Sequence, residues 1–196
     1  MKKILWIAVL AFVLSFTQTS CNYNALVTSE EEVNAAWSQV ENVYQRRADL
    51  IPQLVNTVKG AANFEKSTFE AVTNARAAAS SVKIDPSNMS DEDLAKFQEA
   101  QDQLGSSLSR LLVTVEAYPE LKANQNFMDL QAQLEGTENR IAVERKKFNE
   151  AAQKYNTDRR RFPRILFAKL YGFKERPYFQ AAAGAEQAPD VEFDFD

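Results

Sequence analysis

The chain has 196 residues, 45% hydrophobic and 26% charged, which suits one packed domain and excludes wholesale disorder. It holds no histidine and a single cysteine, Cys21, which excludes Ser-His-Asp and Cys-His nucleophilic sites, histidine-bearing zinc sites, disulfide frameworks and iron–sulfur clusters. Its five glycines stand too far apart for a phosphate loop, and a net charge of −4 argues against nucleic acid as a partner.

Residues 1–20 read as an address. Lys2 and Lys3 precede an apolar run from Ile4 to Phe16 in which Ser15 is the one polar side chain. A bilayer core needs about 20 apolar helical residues, whereas about 10–14 suit the apolar part of a signal peptide. Thr17 to Ser20 turn the chain polar and Cys21 follows directly. A small residue before a lone cysteine, after basic and apolar stretches, resembles a bacterial lipoprotein signal, in which the cysteine becomes the acylated first residue of the mature chain. Gln18 departs from that pattern, since an apolar residue is usual there. An uncleaved single-pass anchor and plain secretion are the other two readings. All three place residues 1–20 at membrane lipid and outside the folded core, leave 21–28 as a tether and put the bulk of the chain outside the cytoplasm.

Ser29 with Glu32 three residues later has the form of a capping box and predicts a helix start. From Val33 an apolar stripe runs in steps of four and three through Trp37, Val40, Tyr44, Arg47, Ile51, Leu54 and Val58 to Thr68, Val72 and Ala79. Pro52 interrupts the hydrogen-bond ladder while the stripe keeps its phase, which predicts a kink rather than a hairpin. Asp85-Pro86-Ser87-Asn88 is a turn. Ser90 caps a second helix with its seam at Leu94, Phe97, Gln101, Leu104, Leu108, Leu111 and Val115. Tyr118-Pro119 ends that helix, and a third runs from Phe127 to Phe162, stopping at Pro163. The aromatic stretch from Ile165 to Phe179 folds back as a fourth helix or cap. The expected fold is all-α, an elongated antiparallel up-and-down bundle of three to four long helices over residues 29–183, with an N-terminal membrane anchor.

Charge is uneven along the chain. Between Arg140 and Arg176 twelve bases face four acids, which gives either a solvated helix face or a basic surface for an anionic partner or lipid head groups. The last thirteen residues, 184–196, carry five acids and no base, and read as a disordered acidic tail. Two polar clusters are candidates for chemistry or interaction: Arg46, Arg47 and Asp49 before Pro52, and Glu135, Glu138 and Arg140 in the third helix. Carboxylate metal sites in bundles use Glu-x-x-His, and with histidine absent these clusters are expected to form ion pairs. Arg47, Glu65, Glu144 and Asp158 fall on the seams; either the seams drift and turn them to the edge, or they pair across helices and fix register. Trp37 and Tyr44 are expected in the core. No cofactor, metal or catalytic residue is indicated.

Longer strings carry a family resemblance. They are Tyr23-Asn24-Ala25-Leu26-Val27, Ala36-Trp37, Arg46-Arg47-Ala48-Asp49-Leu50-Ile51-Pro52 and Val58-Lys59-Gly60, followed by Glu116-Ala117-Tyr118-Pro119-Glu120-Leu121-Lys122-Ala123. Glu135-Gly136-Thr137-Glu138-Asn139-Arg140-Ile141-Ala142, Gly172-Phe173 and Pro177-Tyr178-Phe179 complete them. Over Tyr23 to Phe179 the chain resembles the LemA family of bacterial membrane-associated helical proteins. The resemblance implies an antiparallel bundle tethered by its N-terminus, with no agreed activity and no known catalytic residues. The leader departs from the family pattern, which commonly has a longer spanning helix. The function expected is that of a membrane-tethered helical interaction or scaffold protein of the bacterial cell envelope, with an unidentified protein partner and no small-molecule substrate. The alternative is a cell-envelope enzyme or enzyme subunit using Arg46, Arg47 and Asp49, or Glu138 and Arg140.

Overall fold

Helix α1 (Lys2–Lys59) is unbroken in the computed structural model, which describes residues 2–60 and 65–181, with side chains from residue 22 on. The expected tether over 21–28 is therefore helix, and Ser29 caps nothing. Its hydroxyl donates to the carbonyls of Ala25 and Leu26, at 3.0 Å each. The reason lies one turn upstream. Leu26 and Ser29 are buried in step with Val33 and Trp37, so the stripe begins before the apparent cap and burial overrides the local signal.

Pro52 stays inside α1. A proline removes the N–H that would bond the carbonyl four residues back, here that of Ala48. Arg76 Nε donates to this carbonyl at 2.7 Å, so the group freed by the proline is satisfied from a neighbouring helix, α2 (Lys66–Ser81). The turn comes later, after Lys59 at Gly60, so the stripe from Val33 to Ala79 belongs to two helices rather than one kinked helix. Both helices present apolar faces to one core, Val58 from α1 and Val72 and Ala79 from α2. Periodicity alone does not register a turn between two such faces.

Asp85 makes the predicted turn, accepting the Ser87 N–H at 2.9 Å and, through its carbonyl, the Asn88 N–H at 3.1 Å. Ser90 then caps α3 (Asp91–Val115) in a reciprocal box with Asp93. Hydrogen bonds from the Ser90 hydroxyl and N–H hold the Asp93 carboxyl below its ordinary range. After α4 (Pro119–Lys122), a single turn, Asn124 caps α5 (Gln125–Arg160) by accepting the Phe127 N–H at 3.2 Å. The last helix, α6 (Arg164–Tyr171), stops at Gly172, whose φ of 76° is left-handed and suits a residue without Cβ. Of the stretch from Ile165 to Phe179 expected to fold back as a fourth helix or cap, only the part up to Tyr171 is helix. Residues 173–181 form a non-helical strap.

Glu32 pairs with Lys154 and Arg47 with Glu138, so α1 and α5 run antiparallel. Arg76 against Ala48, and Lys59 over the Phe69 ring, make α2 antiparallel to α1 as well. Trp37 and Tyr44 both touch Phe97, and Arg47 reaches Gln101, so α3 runs with α1. All described elements are helices, with no strand among the described residues. The core divides in two. One part is aliphatic, built on Leu54, Val58, Val72, Leu104, Leu111 and Leu130. The other is aromatic, built on Trp37, Tyr44, Phe97, Phe148, Tyr155 and Phe179.

Candidate functional site

Between the two cores lies a polar layer. Arg47 stands one turn from Tyr44 on one side and Ile51 on the other, and its side chain is almost fully buried. It donates through Nη1 to Glu138 Oε1 at 2.6 Å and through Nη2 to Gln101 Oε1 at 2.5 Å and the Gln101 carbonyl at 3.2 Å. Its guanidinium also lies 5.0 Å from the Tyr44 ring centroid. Burial raises the Tyr44 hydroxyl pKa, opposed by Arg145 and Arg47. A buried charge of this kind is costly unless paired, and one that finds partners on two other helices fixes the register among them.

Of the two sequence-predicted clusters, one member from each meets. Arg47 and Glu138 pair; Arg46 and Arg140 are exposed, and Asp49 accepts from Gln45 on its own helix at 2.8 Å. Among the other charges on the seams, Glu65 is exposed at the start of α2. Glu144 pairs with Lys147, and Asp158 with Arg161 and Arg164. Both outcomes foreseen for such charges occur: Arg47 and Asp158 pair across helices, whereas Glu65 is exposed and Glu144 pairs within its own helix. Trp37 is fully buried, ringed by Phe97, Phe148 and Phe179 at centroid distances of 5.3, 5.6 and 6.1 Å.

Sequence reasoning missed Arg176, whose side chain is 1% exposed. It donates to Glu30 at 2.7 Å and to the Ser87 carbonyl at 2.9 Å, tying the strap to α1 and to the Asp85 turn. Two asparagines of α5 hold the strap by its backbone. Asn156 accepts the Arg176 N–H at 2.9 Å and donates to the Arg176 carbonyl at 2.8 Å. Asn149 does the same for Phe179, at 2.9 and 3.0 Å. Seven helical residues rise about 10.5 Å and three extended residues span about 10 Å, so the two clamps share one spacing. The signal was present: two asparagines at heptad distance beside Phe148 and Tyr155.

Two cavities among the described residues hold no assembled chemistry. A space of about 90 Å³ beside Tyr44 and Gln101 is below the size of ordinary ligand sites. A groove of about 960 Å³ over α2 and α3 is lined mainly by small and amide side chains with Asp91, Glu99, Asp102 and Arg110. Among the described residues no three His, Cys, Asp or Glu side chains gather around a point that could hold a metal ion. No helix among them is long and apolar enough to cross a membrane. The side chains of the leader and Cys21, and the acidic stretch 184–196, lie outside the described residues.

The model of the LemA family matches residues 36–193. The magnetosome protein MamQ of Magnetospirillum gryphiswaldense is 30% identical over 190 residues, covering 88% of this chain and 70% of that protein. Magnetosome protein MamQ 2 of Paramagnetospirillum magneticum is 29% identical, with 89% and 70% covered. Protein LemA of Metamycoplasma hominis is 23% identical over 134 residues, 68% of this chain and 58% of its own length.

Proposed function

The chain belongs to the LemA family, and on that premise we propose that it is a membrane-tethered helical interaction protein of the bacterial cell envelope, without catalytic activity. The observation that carries the reading is the fate of its polar residues. Arg47 and Glu138, the pair nearest to a site, are spent on register, and Arg176 is spent on holding the strap. An enzyme would need groups left free to meet a substrate, and the candidate clusters do not converge on a cleft. Membrane attachment is supported by the leader, where Lys2 and Lys3 precede the apolar run from Ile4 to Phe16 on the same helix as the bundle's first element. Attachment through an acylated Cys21 has a physical logic, since several acyl chains hold firmly where one chain is marginal.

The test is fractionation of the native host with the wild-type chain and Cys21→Ala, together with intact mass. The expected wild-type mass lacks residues 1–20 and carries a lipid adduct, and the variant shifts toward the soluble fraction. A mass that retains 1–20 with no adduct, and a variant that stays in the membrane, makes the leader an uncleaved anchor instead. A wild-type chain found wholly in the soluble fraction overturns the tether itself.

A further inference from the structure

We propose that α6 and the turn before it form a second lipid contact, an amphipathic face that lies on an anionic membrane surface beside the point where α1 leaves the bundle. This inference rests on the reading that the N-terminus is tethered to a membrane. Three large apolar side chains there point away from the protein. Leu166 is 58% exposed and Leu170 74%, four residues apart on one side of α6, and Phe162, 81% exposed, lies in the turn just before the helix. The opposite side of α6 is packed, with Ala168 buried and Ile165 and Phe167 half-buried. Isolated apolar residues on a surface need no explanation, whereas an aligned stripe on a short, otherwise packed helix marks an interaction face.

Charge selects the occupant. The fifteen residues from Arg160 to Lys174 contain five bases and no acid, and of these Arg161 and Arg164 pair with Asp158 just upstream, which leaves a local excess of positive charge. Arg160, Arg161 and Lys169 are exposed, and Lys169 falls next to Leu166 and Leu170 on the outward face. Leucine and phenylalanine flanked by arginine and lysine is the composition of helices that settle at the head-group boundary of anionic bilayers. Position agrees with charge. Tyr23 of α1 packs edge-on against Tyr171 of α6 at 4.9 Å and against Phe173 at 5.9 Å. Seven helical residues, about 10 Å of rise, separate Tyr23 from the end of the apolar run at Phe16. The stripe therefore sits at the level where a tether on α1 would meet head groups, and the two contacts would act together.

Amide hydrogen exchange on the full chain tests this, with vesicles of phosphatidylcholine alone or mixed with phosphatidylglycerol. Exchange at 164–171 is expected to slow by roughly tenfold or more on the anionic vesicles relative to the neutral ones, since each base near an anionic surface adds several-fold to affinity. Leu166→Ser with Leu170→Ser, or Arg160→Gln with Lys169→Gln, should abolish that difference. These positions face outward, and an unchanged circular dichroism spectrum shows the fold is kept. Association with both vesicles but equal exchange at α6 overturns the lipid face while the tether stands. Protection of α6 on anionic vesicles, with no association to neutral ones, supports the lipid face and counts against the tether. No association with either vesicle overturns both. Protection that rises with protein concentration in the absence of lipid assigns the stripe to a second copy, and overturns the proposal.

Discussion

The aliphatic core around Leu54, Leu111 and Leu130 is sealed by helix against helix, whereas the aromatic core around Trp37 is sealed on one side by Phe179, which no helix carries. The first follows from stripes that each helix would present in isolation. The second depends on a strap that has no hydrogen-bonded structure of its own, borrows its backbone bonds from Asn149 and Asn156 of α5, and reaches out through its own Arg176 to Glu30 and the Ser87 carbonyl. A core closed by helices is over-determined, because each face is fixed by its own helix. A core closed by a strap is only as firm as the clamps on that strap.

Substitutions should separate the two regions. Trp37→Ala has the largest expected effect, about 4 kcal/mol lost on denaturant unfolding. It should also speed proteolysis after Lys174, because Phe179 loses its stacking partner. Leu111→Ala should cost about 3 kcal/mol with the strap unaffected below the global transition. Equal strap protection in both variants would mean that the cores are a single cooperative unit. Asn156→Ala removes the Arg176 clamp and should cost about 2 kcal/mol, with faster hydrogen exchange at 173–181 and none of that change in α2 or α3.

On the aliphatic side, Arg76→Ala should cost about 1–2 kcal/mol by leaving the Ala48 carbonyl unsatisfied. In a Pro52→Ala background the helix supplies its own N–H to that carbonyl, and the cost should fall by more than half. A double-mutant cycle with no coupling would break the account of how α1 passes Pro52. The smallest effect at neutral pH concerns Tyr155, whose hydroxyl donates to the Lys174 carbonyl at 2.9 Å. Burial, helped by the Glu30 carboxylate and opposed by Arg176 and Arg159, pushes its pKa up to about 12 from the usual 10.0. The folded state thus holds a proton that the unfolded chain releases near pH 10. Stability from this group is complete below that pH and is lost as pH climbs toward about 12. Tyr155→Phe should flatten that alkaline slope, and an unchanged slope would assign it elsewhere.

The helical elements were legible because heptad spacing reports which side of a helix is buried, and Ser90 with Asp93 reports where α3 begins. What spacing does not report is the partner. Arg47 and Glu138 are 91 residues apart, and each looked like a member of its own local cluster. Ser29 and Ser90 carry the same local signature and only Ser90 caps, because Leu26 and Ser29 are already buried in the stripe of α1. The turn at Gly60 was hidden by two stripes in matching phase. The strap was illegible for a simpler reason. A segment whose backbone is satisfied by side chains elsewhere has no periodicity of its own, and Arg176 stood unnoticed among eleven other bases.

The continuity of α1 carries a mechanical consequence. A pliant tether would let a bundle sample many orientations against whatever holds its N-terminus. With the leader uncleaved, an unbroken helix would make the bundle a lever instead, because residues 2–21 and the segment that packs against α5 belong to one helix. From Tyr23 to Lys59 that helix is about 54 Å long, so a tilt of about 10° at its base sweeps the far end by about 9 Å. The angle at which the N-terminal segment is held thus sets how far, and in which direction, the end of the bundle formed by Lys59 and Phe69 reaches.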